Sequence, residues 1–134
     1  MCFGNPKVVQ ILGLQQAKRE DFKGSILISL FLLLIGFRRH CRVVGNSMLP
    51  TLKNGDLIIY KPYKYRKDKI IQGSLVVVQH PIHKETLIIK RVSKISSSHI
   101  EILGDNKKES IDSRQFGQIN KLQVLGIVEK IIAK

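Results

Sequence analysis

A serine hydroxyl becomes a useful nucleophile when a neighbouring base takes its proton, and two stretches of this chain supply those residue types in suitable settings. Ser47 sits in Val44-Gly45-Asn46-Ser47-Met48-Leu49-Pro50-Thr51-Leu52-Lys53-Asn54-Gly55-Asp56, a constrained turn between apolar segments. Pro50 fixes its own φ and biases Leu49 away from helix, and Asn54-Gly55-Asp56 reads as a turn into a strand over 57–60. Lys90 sits in Leu87-Ile88-Ile89-Lys90-Arg91-Val92, which reads as a buried strand. Alternation along a strand puts Lys90 on the face of Ile88 and Val92 and turns Arg91 to the other side. An ammonium among apolar neighbours loses its preference for the charged form, and its pKa falls toward the range where a neutral amine acts as a base. Each unit of depression corresponds to about 1.4 kcal/mol, so a useful shift requires burial.

A third stretch, Gly104-Asp105-Asn106-Lys107-Lys108-Glu109-Ser110-Ile111-Asp112-Ser113-Arg114-Gln115-Phe116-Gly117, is polar and turn-rich. Asp112 and Arg114 are spaced to pair on an extended backbone. Ser110 offers a hydroxyl that can hold the Lys90 amine in the orientation proton transfer needs.

These residues need a scaffold, and from Val43 onward the chain reads as short strands separated by turns. The expected strands lie over 57–60, 74–78, 87–92, 99–103 and within 122–132, broken by Gly73, by His80-Pro81 and by Ser96-Ser97-Ser98. The predicted fold is mainly β: a compact, antiparallel, barrel-like catalytic core over 43–134, preceded by an N-terminal segment over 1–42. Lys7 to Ala17 carries roughly helical apolar spacing, weakened by Gly13. The apolar run within 25–37 predicts a helix that rises only about 18 Å, against a hydrocarbon core about 30 Å thick. Basic residues flank that run on both sides, so charge asymmetry sets no orientation.

Among 134 residues there are 23 lysines and arginines against 10 acids, a formal net charge of +13. That excess favours anionic surfaces, and with no nucleic-acid motif beside it, nucleic acid is the weaker partner. Lys61-Pro62-Tyr63-Lys64-Tyr65-Arg66-Lys67-Asp68-Lys69 concentrates the charge in a loop with interleaved tyrosines, able to touch lipid headgroups or a single strand of nucleic acid, and more commonly just an exposed connection. Cys2 and Cys41 have no metal spacing and make no disulfide framework. His80 and His83 sit in a turn without a third ligand and read as surface histidines. No metal and no cofactor is expected.

Taken singly, each candidate has an ordinary explanation: a turn serine, an exposed strand lysine, a surface ion pair worth little. Together and in order, GNSMLPTLKNGD, IIKRV and GDNKKESIDSRQFG resemble the three signature boxes of the type I signal peptidase family of serine proteases, from about Val43 to the end of the chain. The resemblance implies Ser47 as nucleophile, Lys90 as general base, Ser110 as the hydroxyl orienting that lysine, and Asp112 with Arg114 as structural partners. The hydroxyl that assists the oxyanion hole in some members falls at Gly45, so backbone amides must serve in the oxyanion-hole region. The resemblance also implies a membrane-associated, single-pass protein whose partner is a precursor with a cleavable N-terminal segment carrying small residues before the cut. Larger members insert an accessory region between the lysine and the last box; here the spacing is short. Such short relatives include proteases that mature the nickel-type superoxide dismutase precursor, a second role within the enzyme class. Outside it stand a self-cleaving repressor-like protein with the same Ser/Lys chemistry, a non-catalytic basic binding module, and a soluble cytoplasmic location.

Overall fold

The computed structural model describes residues 2–3 and 24–134. The body is a mainly β fold built on one antiparallel sheet of β1 (Cys2–Phe3), β2 (Arg39–Val43), β3 (Leu57–Pro62), β4 (Leu75–Gln79), β5 (Leu87–Ile95), β6 (His99–Leu103), β7 (Ile119–Asn120) and β8 (Val124–Ile132). The strands lie in the order β1-β2-β3-β8-β4-β5-β6-β7. The sheet is not closed by a ladder: β1 meets β5 through one residue pair, Cys2 opposite Leu87. It is therefore open where a barrel-like body was expected.

Why β4 and β5 read as unbroken apolar runs is clear from what covers them. Val77 and Ile89 pack with Cys41, Val43, Met48, Leu52, Ile58 and Tyr60 on one side. Val76, Val78, Ile88 and Val92 pack with Ile70, Ile100, Ile102, Ile119 and Val124 on the other. Burial of both faces removes the polar alternation that a half-exposed strand would show. β5 is the strand of interest, because its register sets Val76 against Lys90 and Leu75 against Arg91.

Ahead of the sheet, α1 runs over Gly24–Leu34, 11 residues, and stops short of the expected 37. Its end is a glycine-capped turn: Gly36, at φ 81°, donates to the Leu33 carbonyl while Phe37 donates to that of Leu32. That pattern needs a left-handed residue, which glycine adopts without a Cβ clash. Among the described residues no helix is long and apolar enough to cross a membrane. The helical spacing noted over 7–17 lies outside the described residues.

Candidate active site

Ser47 is held by its neighbours on both sides. Met48 and Leu52 are buried anchors of the turn, and the Leu52 amide donates to the Met48 carbonyl at 2.9 Å. Gly45 takes φ 93° and donates its amide to Asn54 Oδ1, while the Asp56 carboxylate accepts the amides of Lys53 and Lys134. The Leu49–Pro50 bond is cis. Val43 and Gly55 close the base of the loop, Gly55 N–H donating to the Val43 carbonyl at 2.8 Å. The expected rigid crossing is thus a loop pinned at its base by backbone bonds and at its middle by apolar side chains.

Lys90 comes from the opposite wall. Its side chain lies on the Ile88 and Val92 face of β5 and is only 3% exposed. Nζ donates to Ser110 Oγ at 3.0 Å, and that hydroxyl donates in turn to Asp112 Oδ2 at 2.7 Å. With its one proton committed to Asp112, Ser110 can only accept from Lys90. A neutral Lys90 therefore spends an N–H on Ser110 and keeps its lone pair for another group. Burial is the main influence on the amine and lowers its pKa to about 8, the Asp112 carboxylate opposing and the Arg114 charge assisting.

Asp112 is the hub of the third stretch. Burial alone would raise its pKa, yet the Arg114 guanidinium, the Gly104 amide and the Ser110 hydroxyl hold it well below the usual carboxylate range. Arg114 reaches it by Nε at 2.9 Å and Nη2 at 2.6 Å, and Gly104 N–H at 2.8 Å. The pair forms at a helix start: Asp112, itself extended, is the N-cap of α2 (Ser113–Phe116) and also accepts the Arg114 amide, with Gln115 completing a capping box. A cap brings the side chain two residues on back over its own carboxylate, which a strand would not do.

Sequence reasoning passed over the residues that join these pieces. Asn106 donates its amide to the Ser47 carbonyl and its side chain to that of Asn46, clamping the third stretch onto the serine turn. Gly104 lies so close that a Cβ there would come within 2.0 Å of Ser110 Oγ and 2.7 Å of the Ser47 carbonyl. On the far face of β5, Arg91 binds both oxygens of Asp105 and reaches the Gly73 carbonyl, and Thr51 also donates to Asp105. The turn-like Gly104-Asp105-Asn106 run was the available signal, and it reads as a loop until its partners are known.

One cleft of about 300 Å³ collects the result, lined by Val44, Gly45, Asn46, Ser47, Thr86, Ile88, Lys90, Glu109 and Ile111 together with His80 and His83. The two histidines were expected on the surface; His83 is exposed and His80 half-buried, and both also line this cleft, their rings 5.0 Å apart. His80 Nδ1 accepts the amides of Ile82 and His83, so its neutral ring carries the proton on Nε2. Burial first, then the nearby His83 and Lys90, lower its pKa. Among the described residues no three metal-ligating side chains converge.

The family model described as "Signal peptidase, peptidase S26" matches residues 21–102 of this chain. The chain belongs to the type I signal peptidase family. Among curated proteins it is similar to the mitochondrial ATP-independent inner membrane protease subunit 1a of Arabidopsis thaliana, 28% identical over 75% of this chain and 77% of that protein. It is also similar to mitochondrial inner membrane protease subunit 2 of Mus musculus, 29% identical over 59% of this chain and 58% of that protein. Subunit 1 from the same organism is 27% identical over 56% and 57% respectively. The chain thus spans less than two thirds of the two mouse relatives. The signal peptidase match contains Ser47 and Lys90 but ends before Ser110, Asp112 and Arg114. Those three are tied to the cleft by hydrogen bonds of this chain.

Proposed function

We propose that this member of the signal peptidase family is a serine endopeptidase in which Ser47 is the nucleophile and Lys90 the general base. The observation that carries the reading is the buried Lys90 amine, hydrogen-bonded to Ser110 and sharing one cleft with Ser47. With its pKa lowered to about 8, a substantial fraction of that amine is neutral near physiological pH. Lys90 then takes the Ser47 proton as Oγ attacks the scissile carbonyl, and the tetrahedral oxyanion is met by the backbone amide of Ser47. Lys90 returns the proton to the leaving amine, and the acyl-enzyme is hydrolysed by water with Lys90 again the base. Ser110 orients the amine, while Asp112 and Arg114 fix Ser110.

The substrate class follows from the cleft and the family. An extended precursor segment with small residues before the cut suits a cleft lined by Val44, Ile88 and Ile111. The relatives are named as inner membrane proteases, so removal of N-terminal segments at a membrane is the role proposed here. Maturation of a nickel-type superoxide dismutase is a narrower role that no residue of the cleft favours. The test is cleavage of membrane-targeted precursors by the parent, Ser47→Ala and Lys90→Ala chains, with the new N-terminus read by mass. The parent is expected to cut and both variants to fail; retained cleavage by either variant refutes the dyad. Incubating the protein alone, with self-cut fragments as the readout, separates this role from self-cleavage.

A further inference from the structure

The sequence's basic, tyrosine-bearing loop has a defined shape. From Tyr63 the chain leaves β3 and turns tightly, with the amides of Lys67 and Asp68 both donating to the Lys64 carbonyl and Arg66 at φ 69°. A positive φ at a non-glycine residue needs support from its surroundings. Asp68 provides it: its carboxylate accepts the Lys61 ammonium at 2.6 Å and the Lys64 amide at 2.7 Å. The loop's one acid is therefore spent inside the turn, and Lys64, Arg66, Lys67 and Lys69 remain exposed with no carboxylate in the loop to offset them. Arg66 stands 5.6 Å over the Tyr65 ring. The loop arches over a cavity of about 430 Å³ that Ile95, Ser97 and Lys121 close from the other side, and it shares no residue with the Ser47 cleft.

Its position gives the patch a meaning. The loop begins three residues after Tyr60, the register partner of Arg39, where the connection from α1 enters the sheet. Arg38 pairs with Glu129 of β8, and Tyr63 donates to the Leu125 carbonyl of the same strand, so the exit of α1 and the entry of the loop lean on one element. α1 itself exposes Leu27, Ile28, Phe31 and Leu34, with Phe37 just beyond it. An apolar segment too short to span is a weak anchor alone, and stable attachment takes a second signal such as a polybasic surface.

We propose that the 63–69 loop is a docking surface for an anionic phospholipid bilayer, supplying the electrostatic half of a two-part membrane contact whose apolar half is α1. The proposal rests on the membrane role given above and adds the lipid class and the residues. Lys64, Arg66, Lys67 and Lys69 meet the headgroup phosphates, and the exposed Tyr65, with an apolar ring and a polar hydroxyl, suits the interface. Lys121 extends the cationic rim from the opposite side of the cavity.

The test is co-sedimentation of the full chain with vesicles of phosphatidylcholine alone and of phosphatidylcholine mixed with phosphatidylserine. The parent is expected to bind the anionic vesicles more tightly by about five-fold per contacting cation, an increment that added salt abolishes. The variant Lys64→Gln/Arg66→Asn/Lys67→Gln/Lys69→Gln is expected to bind both vesicles as the parent binds phosphatidylcholine, with unchanged circular dichroism and unchanged cleavage of a short soluble peptide. A control at two exposed lysines elsewhere, Lys107→Gln/Lys108→Gln, is expected to keep the preference. Equal parental binding to the two vesicle types overturns the loop proposal and leaves the membrane role standing. No binding to either vesicle overturns both. Anionic preference retained by the loop variant, or a loop-dependent binding of single-stranded oligonucleotide tighter than that of anionic vesicles at equal salt, also overturns it.

Discussion

Two neighbouring cations on β5 meet the same downstream stretch in opposite ways. Lys90 turns inward, nearly inaccessible, and its direct partner is the neutral hydroxyl of Ser110, with the Asp112 carboxylate one bond further away. Arg91 turns outward, is partly exposed, and binds the Asp105 carboxylate with two nitrogens. In the first arrangement burial outweighs the opposing Asp112 and Asp105 charges and lowers the pKa; in the second, hydrogen bonding to Asp105 outweighs burial and raises it. A hydroxyl inserted between amine and acid leaves the amine with a lowered pKa, as the proposed base requires, whereas direct contact makes a brace. Moving one residue along a strand is enough to exchange the two outcomes, because the two faces see different neighbours.

The sharpest way to break the contrast is to remove the inward cation. Lys90→Met is expected to lower precursor cleavage by about 10³-fold or more, since the proposed base is gone while the cleft keeps its shape. The same variant is expected to be more stable at pH 7. With the native amine at about 8 against an ordinary 10.5, the unfolded chain binds the Lys90 proton more readily, and below pH 8 burying the cation costs about 3 kcal/mol at most. Losing the hydrogen bond to Ser110 offsets about 1 kcal/mol of that gain, leaving about 2 kcal/mol. Between pH 8 and 10.5 the native amine is already neutral and the parent recovers, so the gap must close with rising pH in urea titrations. Parental activity should rise through pH 8 to a plateau, the limb following the neutral amine.

Next in size is Gly104→Ala. A Cβ pointed at Ser110 Oγ and the Ser47 carbonyl must push the third stretch off the serine turn, and a loss of about 2–4 kcal/mol with collapse of activity is expected by thermal melting and precursor cleavage. Ser110→Ala should then cost about 10–100-fold in kcat with little change in KM, because the amine loses its orienting partner but stays buried. On the outward face, Asp105→Asn weakens the brace alone. A destabilisation of about 1–2 kcal/mol, read as a Tm lower by about 5 °C, should come with near-parental kcat at low temperature. If kcat falls as far as in Ser110→Ala, the division between base and brace is wrong.

The smallest effect lies at His40, buried on β2 with Nε2 lacking a partner among the described residues and its pKa lowered by burial. Because the unfolded imidazole binds its proton more readily, stability should fall as pH drops below about 6.5, and His40→Leu should flatten that acid limb of the melting curve.

What sequence could decide is whatever depends on near neighbours. Alternation assigned Lys90 and Arg91 to opposite faces, Pro50 and Asn54-Gly55-Asp56 marked the serine loop, and the turn residues bounded most strands, because these follow from local sterics and strand periodicity. Even there the reading slipped where two local solutions compete: the Asp112–Arg114 pair is made by a helix cap rather than a strand, and α1 stops early at a glycine that a hydropathy pattern does not register. Tertiary structure alone decided which residues converge. That the Ser47 loop faces Lys90, that Gly104 must lack a side chain, that Asn106 ties two distant turns together and that His80 and His83 enter the cleft all depend on strand order and register, which link positions far apart in the chain through contacts no local pattern encodes.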